Sequence, residues 1–239
     1  MGIISRFPAG ATEPYIEEIY NSDGQLIDAK MYGYKTIRDS AFSGCPSLAL
    51  TSLPSGITNI GNSAFDGCSS LALTSLPSGV TNIGNYAFYN CTSLALTALP
   101  SGITSIGISA FSGCSSLALT TLPSGVTYID QGAFSGCSSL ALTTLPSALT
   151  SIGYGAFDGC SSLALTTLPS GITYIDYGAF VDCTSLVSLT FEGTPERIDS
   201  TTFIGCNNLT TINVPWAEGA VANAPWGAPN ATINYGHIS

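Results

Sequence analysis

The chain has 239 residues, of which 45% are hydrophobic and only 8% charged, and its formal net charge is -10. No Lys or Arg lies between Arg38 and Arg197, so most of the chain lacks the cations that neutralise phosphates, which argues against nucleic acid and anionic membrane surfaces as partners. No run approaches the ~18 apolar residues of a spanning helix, so membrane insertion is not expected and the surface must be built from Ser, Thr, Asn, Gly and Tyr.

Met1 to Gly10, MGIISRFPAG, joins one Arg to a broken apolar stretch, which does not make the charged and apolar regions of a secretory signal. Residues 1–13 are expected to be a flexible lead-in. Residues 14–33 alternate apolar and charged positions on both sides of Asn21-Ser22-Asp23-Gly24, a strong turn signal, and predict a β-hairpin. The first coil of a stack has no neighbour on its outer face, so a charged terminal cap is physically expected there.

From Tyr34 to Pro215 one period rules. TSLPSGITNIGNSAFDGCSSLAL, Thr51 to Leu73, recurs in near-identical form from Thr74, Thr97, Thr120, Thr143 and Thr166, and a fixed period of this length predicts a solenoid. Leu53, Ile57, Ile60, Ala64, Phe65, Cys68, Leu71 and Leu73 mark its apolar columns, and like-on-like stacking of those columns makes the core. Ile57 to Ile60 follows a Pro-Ser-Gly turn and predicts a short extended segment. Ala64 to Cys68 is far shorter than the ~12 residues of a marginal helix and predicts at most one or two helical turns. Leu71-Ala72-Leu73 alternates as a strand does and predicts parallel pairing between coils. After Cys183 the pattern changes to Leu186-Val187-Ser188-Leu189-Thr190-Phe191. Residues 216–239 predict a C-terminal cap: a short helix over 216–225, then a turn and a last strand, with both tryptophans shielding the open end of the core.

Cys206, Leu209, Ile212, Val214 and Pro215 in one coil, with Ile60, Ala64, Phe65 and Cys68 in another, carry a pattern that closely resembles the BspA-like, Treponema-type leucine-rich repeats. The resemblance spans about Tyr34 to Pro215, and the Ala-Phe-x-x-Cys element makes it specific. It implies a right-handed solenoid of parallel strands and short helical turns. It also implies an adhesin-like bacterial protein, extracellular or at the cell surface. The chain departs from that pattern in six coils, where Leu48-Ala49-Leu50 to Leu163-Ala164-Leu165 set two leucines only two positions apart. A shorter or bulged strand is expected there.

The eight cysteines are all 23 residues apart. Their side chains stack in parallel rather than facing one another, which predicts buried free thiols acting as small apolar residues, and no Cys-x-x-Cys pair or His partner suggests a metal. His237, the lone histidine, sits at the C-terminal end without an oriented partner. Asp130, Asp176 and Asp199 share a column that offers at most a weak cation site, and no metal or cofactor is expected. The Thr ladder from Thr74-Ser75 to Thr166-Thr167 has the look of an ice-binding face, but Thr is an ordinary exposed strand residue.

The informative positions are those where near-identical coils differ. One column reads Asn59, Asn82, Ser105, Tyr128, Ser151, Tyr174, and another Asn62, Asn85, Ile108, Gln131, Tyr154, Tyr177. Tyr128, Tyr154, Tyr174 and Tyr177 are therefore the candidate binding residues, since Tyr joins a large contact area to a polar tip. The chain is expected to be a monomeric, non-catalytic module that binds a protein or glycan. The alternative is a spacer, or a virion or envelope accessory protein, whose repeats set length.

Overall fold

The computed structural model describes residues 2–4 and 15–237. One unit shows how the sequence closes a coil. The Ile57 N–H donates to Pro54 O at 3.1 Å, which turns the chain into the extended pair Asn59–Ile60. Ser63 at φ 51° and Gly67 at φ 73° then bracket the compact segment, whose Ala64, Asp66 and Cys68 N–H groups donate three residues back to Gly61, Ser63 and Phe65. Two left-handed residues four apart cannot belong to a helix. The helical turns expected here are therefore consecutive tight turns, and no helix occurs among the described residues.

Stacked coils pair through short parallel strands. β1 (Gly2–Ile4), β2 (Tyr15–Tyr20) and β3 (Leu26–Tyr32) form an antiparallel sheet at the N-terminal end. The coil strands follow: β4 (Thr36–Ile37), β5 (Asn59–Ile60), β6 (Asn82–Ile83), β7 (Ser105–Ile106), β8 (Tyr128–Ile129) and β9 (Ser151–Ile152). The same column continues in β11 (Tyr174–Ile175) and β13 (Arg197–Ile198). This column forms two sheets, β4-β5-β6 and β7-β8-β9-β11-β13, because the pairing is interrupted between β6 and β7. On the strand side N–H groups donate back to the preceding coil, as Gly61 does to Ile37 O at 2.8 Å; on the turn side they donate forward, as Phe65 does to Ala87 O at 2.8 Å. The opposed directions leave little net dipole along the rod.

The leucine-alanine-leucine segments go further than the shortened strand expected there and form no regular strand. Each gives one bond per coil, Ala72 N–H to Leu50 O at 3.1 Å and its equivalents, because the two leucines point inward and the residues after them turn out to solvent. Regular pairing on this side begins only where the sequence changes. β10 (Thr167–Leu168), β12 (Ser188–Phe191), β14 (Thr211–Asn213) and β15 (Thr232–Asn234) form a four-stranded parallel sheet.

The core is a set of columns. Phe42, Phe65, Phe88, Phe111, Phe134, Phe157, Phe180 and Phe203 stack with ring centroids 5.3 to 5.6 Å apart and planes within 12° of parallel. Such aromatic pairs add ~0.5–1.5 kcal/mol each beyond their buried area. Both ends are covered. The hairpin β2–β3 turns at Asn21, whose Oδ1 accepts the N–H groups of Asp23 and Gln25 at 3.0 and 2.9 Å. Ile27 O accepts the Ala49 N–H at 2.9 Å, so β3 serves as the coil before the first. Of the lead-in read as flexible, residues 1 and 5–13 lie outside the described residues, while Gly2–Ile4 add a third strand on β2.

At the other end, Phe191, Trp216 and Trp226 pack with centroids 5.3 to 6.3 Å apart. Trp226 is fully buried, and its carbonyl accepts the Phe203 N–H at 2.9 Å, ending the turn-side ladder. The short helix expected over 216–225 does not form. Gly219 at φ 83° and Asn223 at φ 69° turn the chain out of the helical region, and burying both indoles matters more than local helix propensity.

The tightness of the stack makes one substitution diagnostic. A Cβ on Gly84 would lie 2.5 Å from Asn62 N and 2.6 Å from Gly61 C, backbone atoms that cannot move aside, whereas one on Gly56 would meet nothing closer than Tyr34 O at 3.6 Å. Gly84→Ala should therefore cost ~1–3 kcal/mol in urea unfolding, with Gly56→Ala within about 0.5 kcal/mol of the parent. Equal stabilities for the two variants would contradict the packing described.

Candidate functional site

The surface of the rod is set by how each coil satisfies one backbone N–H. In the N-terminal coils a side chain of the preceding coil does so: Asn62 N–H donates to Asp39 Oδ1 at 2.7 Å, Asn85 N–H to Asn62 Oδ1 at 2.8 Å and Ile108 N–H to Asn85 Oδ1 at 2.9 Å. The accepting amide lies where a Cβ would sit, 2.5 Å away at Gly107, so the Asn column and the Gly column depend on each other. Further along, an aspartate one residue earlier takes over. Asp130 Oδ1 accepts the Gln131 N–H at 2.6 Å, and Asp176 Oδ1 accepts the Tyr177 N–H at 2.8 Å. This releases positions 108 and 154 from capping the next coil, and 154 carries Tyr.

The four tyrosines singled out from sequence are all exposed, but they form two groups. Tyr154 and Tyr177 stack with centroids 5.4 Å apart and planes 12° from parallel. Tyr128 and Tyr174 lie in the strand column on either side of Ser151. With Asp176 and Arg197 they line a recess of about 220 Å³. The Tyr174 hydroxyl donates to Glu196 Oε2 at 2.8 Å, and that bond, followed by the charge of Glu196, raises its pKa. Partial burial, then the charge of Asp130, raises that of Tyr128.

A larger trough of about 470 Å³ runs along the turn side, and sequence reasoning missed half of it. Tyr86 and Tyr89 close one end in an edge-to-face pair with centroids 5.9 Å apart; Tyr154 closes the other. Ser109, Ser112, Gly132 and Ser135 line the space between, with Asp66 near the first end and Asp158 near the second. Burial, then the charge of Asp182, raises the pKa of Asp158. Tyr86 and Tyr89 are the only aromatics in their columns of the six full repeats, which otherwise carry Ser, Gly, Asp and one Val, so no recurring pattern marked them. The signal that could have found them is their spacing of three in one coil.

The other candidate chemistries resolve into structure. All eight cysteines are free, seven of them buried and Cys45 partly exposed. The thiol of Cys68 donates to Phe42 O at 3.0 Å, and this bond to the preceding coil recurs up to Cys206. Burial pushes the Cys68, Cys114 and Cys206 thiols up to about 12 and those of Cys137 and Cys183 well above their ordinary value. These are not poised nucleophiles. The aspartates of the shared column bond to their own turns, Asp199 Oδ1 accepting from Thr201 N and Oγ1 at 2.9 and 2.6 Å. Among the described residues no three His, Cys, Asp or Glu side chains converge as metal ligands would. His237 is exposed. The Thr ladder lies mostly outside regular strands, β10 alone including one of its residues, Thr167.

The sequence matches the family described as BspA type leucine-rich repeat region, in six copies, over residues 35–164 and 138–218. Comparison with curated proteins found no match. Among solved structures, a leucine-rich cell surface protein of Faecalibacterium prausnitzii is 25% identical, with 88% of this chain and 72% of that one covered and a TM-score of 0.61. The T. pallidum leucine-rich repeat protein is 28% identical, with 95% and 92% covered and a TM-score of 0.53. The pneumococcal vaccine antigen PcpA is 17% identical, with 91% and 61% covered and a TM-score of 0.60, a likeness of fold.

The thiol column gives a pH dependence with a definite sign. A folded pKa raised above the unfolded value of about 9 leaves stability intact below pH 9. It removes about 1.4 kcal/mol per pH unit per thiol as pH rises from there towards the folded value of about 12 at Cys114. Melting temperature should fall steeply above pH 9, and Cys114→Ala should make that fall shallower. An unchanged slope in the variant would contradict the buried-thiol account.

Proposed function

The chain belongs to the BspA-type leucine-rich repeat family, and from that premise we propose that it is a non-catalytic recognition module presenting a polar, tyrosine-bearing surface to a protein or glycan. The observation that carries the reading is the exposure of Tyr86, Tyr128, Tyr154, Tyr174 and Tyr177, between 39% and 50% each, on a stack whose coils are bonded to their neighbours. A large side chain with few rotatable bonds, held on a rigid support, loses little entropy on binding. The surroundings are mostly Ser, Gly and Tyr with a few carboxylates and one Arg, which suits hydrogen-bonded recognition. The cell-surface description of the F. prausnitzii relative supports an extracellular or surface location for this chain, and no helix of the described residues is long and apolar enough to cross a membrane.

The test is binding of the purified chain to an array of matrix proteins, mucins and glycans. A folded variant with Tyr128, Tyr154, Tyr174 and Tyr177 each changed to Ser is run beside it. Ser already occupies the column of Tyr128 and Tyr174 at 105 and 151, and Tyr154 and Tyr177 are about half exposed, so the variant should keep its stability. Saturable binding weakened at least tenfold in the variant is expected. Equal binding by both proteins would remove these tyrosines from the site, and no saturable binding to any component would overturn the recognition role.

A further inference from the structure

The geometry points to the trough between Tyr86–Tyr89 and Tyr154 as a binding site for a linear, uncharged oligosaccharide. This inference rests on the recognition role proposed above and names its ligand class. The trough spans three coil spacings, about 17 Å at the ring separations of 5.5 to 5.6 Å in the adjoining core. That length suits a short chain of sugar rings lying along the rod. The aromatic walls offer flat faces for the C–H faces of pyranose rings. Tyr154 is held from behind by its stack on Tyr177, and Tyr86 and Tyr89 fix each other edge to face.

The floor excludes other ligand classes. Ser109, Ser112 and Ser135 supply hydroxyls that both donate and accept, and Gly132 leaves room above the backbone. Asp66 and Asp158 add acceptor oxygens at the two ends. They also repel anionic sugars, and no Lys or Arg lines the trough or lies between Arg38 and Arg197 to hold a sulfate or carboxylate. An extended peptide would need a free strand edge or apolar pockets. The floor has neither: the N–H groups of Ser109, Gly132 and Gly155 already donate to Gln131, Tyr154 and Tyr177 at 2.9, 2.8 and 3.0 Å.

Tyr86 supplies an independent pointer. It adopts φ 58° at a position where the neighbouring coils place Ser63, Ser109 and Gly132 at 51°, 48° and 60°. A bulky aromatic in the left-handed region is an outlier kept at a cost in stability, and such outliers gather at ligand sites.

The experiment is calorimetric titration of the full chain with neutral gluco-, galacto-, manno- and xylo-oligosaccharides of two to six units. A sialylated oligosaccharide, a heparin hexasaccharide and a Lys-rich peptide serve as controls. Tyr86→Ser and Tyr154→Gln place at each position a residue its own column already carries; Val187→Ser changes an exposed side chain outside the trough. Saturable binding of a neutral series is expected, tightening with length and then levelling, at least tenfold weaker in Tyr86→Ser and Tyr154→Gln and unchanged in Val187→Ser. Failure of every neutral oligosaccharide to saturate overturns the inference, as does binding untouched by the two trough variants or preference for a charged control. A protein ligand found on the array whose binding depends on Tyr174, with no oligosaccharide bound, overturns the trough inference and leaves the recognition role standing. Absence of both kinds of binding overturns the two together.

Discussion

The backbone hydrogen bonds between coils run at one register set by the 23-residue step, and the rest of the structure depends on that register. A coil of this length is too short to bury its own apolar side chains or to satisfy its own N–H and C=O groups, so both tasks fall to its neighbours. The Phe column, the thiol bonds to Phe carbonyls one coil back and the forward-donating turn ladder all require identical residues at identical heights. A one-residue slip would break all three at once. The same dependence leaves the two ends unsatisfied, and the N-terminal hairpin and the tryptophan cluster cover them.

The register also reaches the surface. Because Asn62 and Asn85 cap N–H groups in the following coil, the N-terminal coils are committed to Asn there and to Gly beside it. Moving the cap to Asp176 frees residue 154 for an aromatic without leaving the Tyr177 N–H orphaned. The internal hydrogen-bond arrangement thus decides which surface positions can carry recognition side chains, and the rigid stack then fixes their spacing. Tyr154 and Tyr177, one coil apart, meet face to face for that reason.

The parts legible in the sequence were those that repeat. The period, the apolar columns and the two-residue strands around Ile60 and its equivalents follow from identical residues at identical spacing. Single positions were harder to read. The helix expected over 216–225 gave way to indole burial, a tertiary term that local propensity does not contain. The four tyrosines singled out as candidate binding residues separate into two groups, because positions 174 and 177 lie on different sides of the bend between strand and turns. Tyr86 and Tyr89 remained hidden because their significance depends on the small residues Ser109 and Gly132 in the next two coils, which open the trough between them and Tyr154.

Register, rather than any one contact, holds the molecule together and positions its surface. The most direct measurement compares urea unfolding of two deletions, one lacking residues 97–119 and the other residues 97–118. The first removes a whole coil and leaves every column aligned; the second shifts all later columns by one residue. Cooperative unfolding with a stability near that of the parent is expected for the whole-coil deletion, and loss of cooperative folding for the other. Equal stability of the two proteins would contradict it.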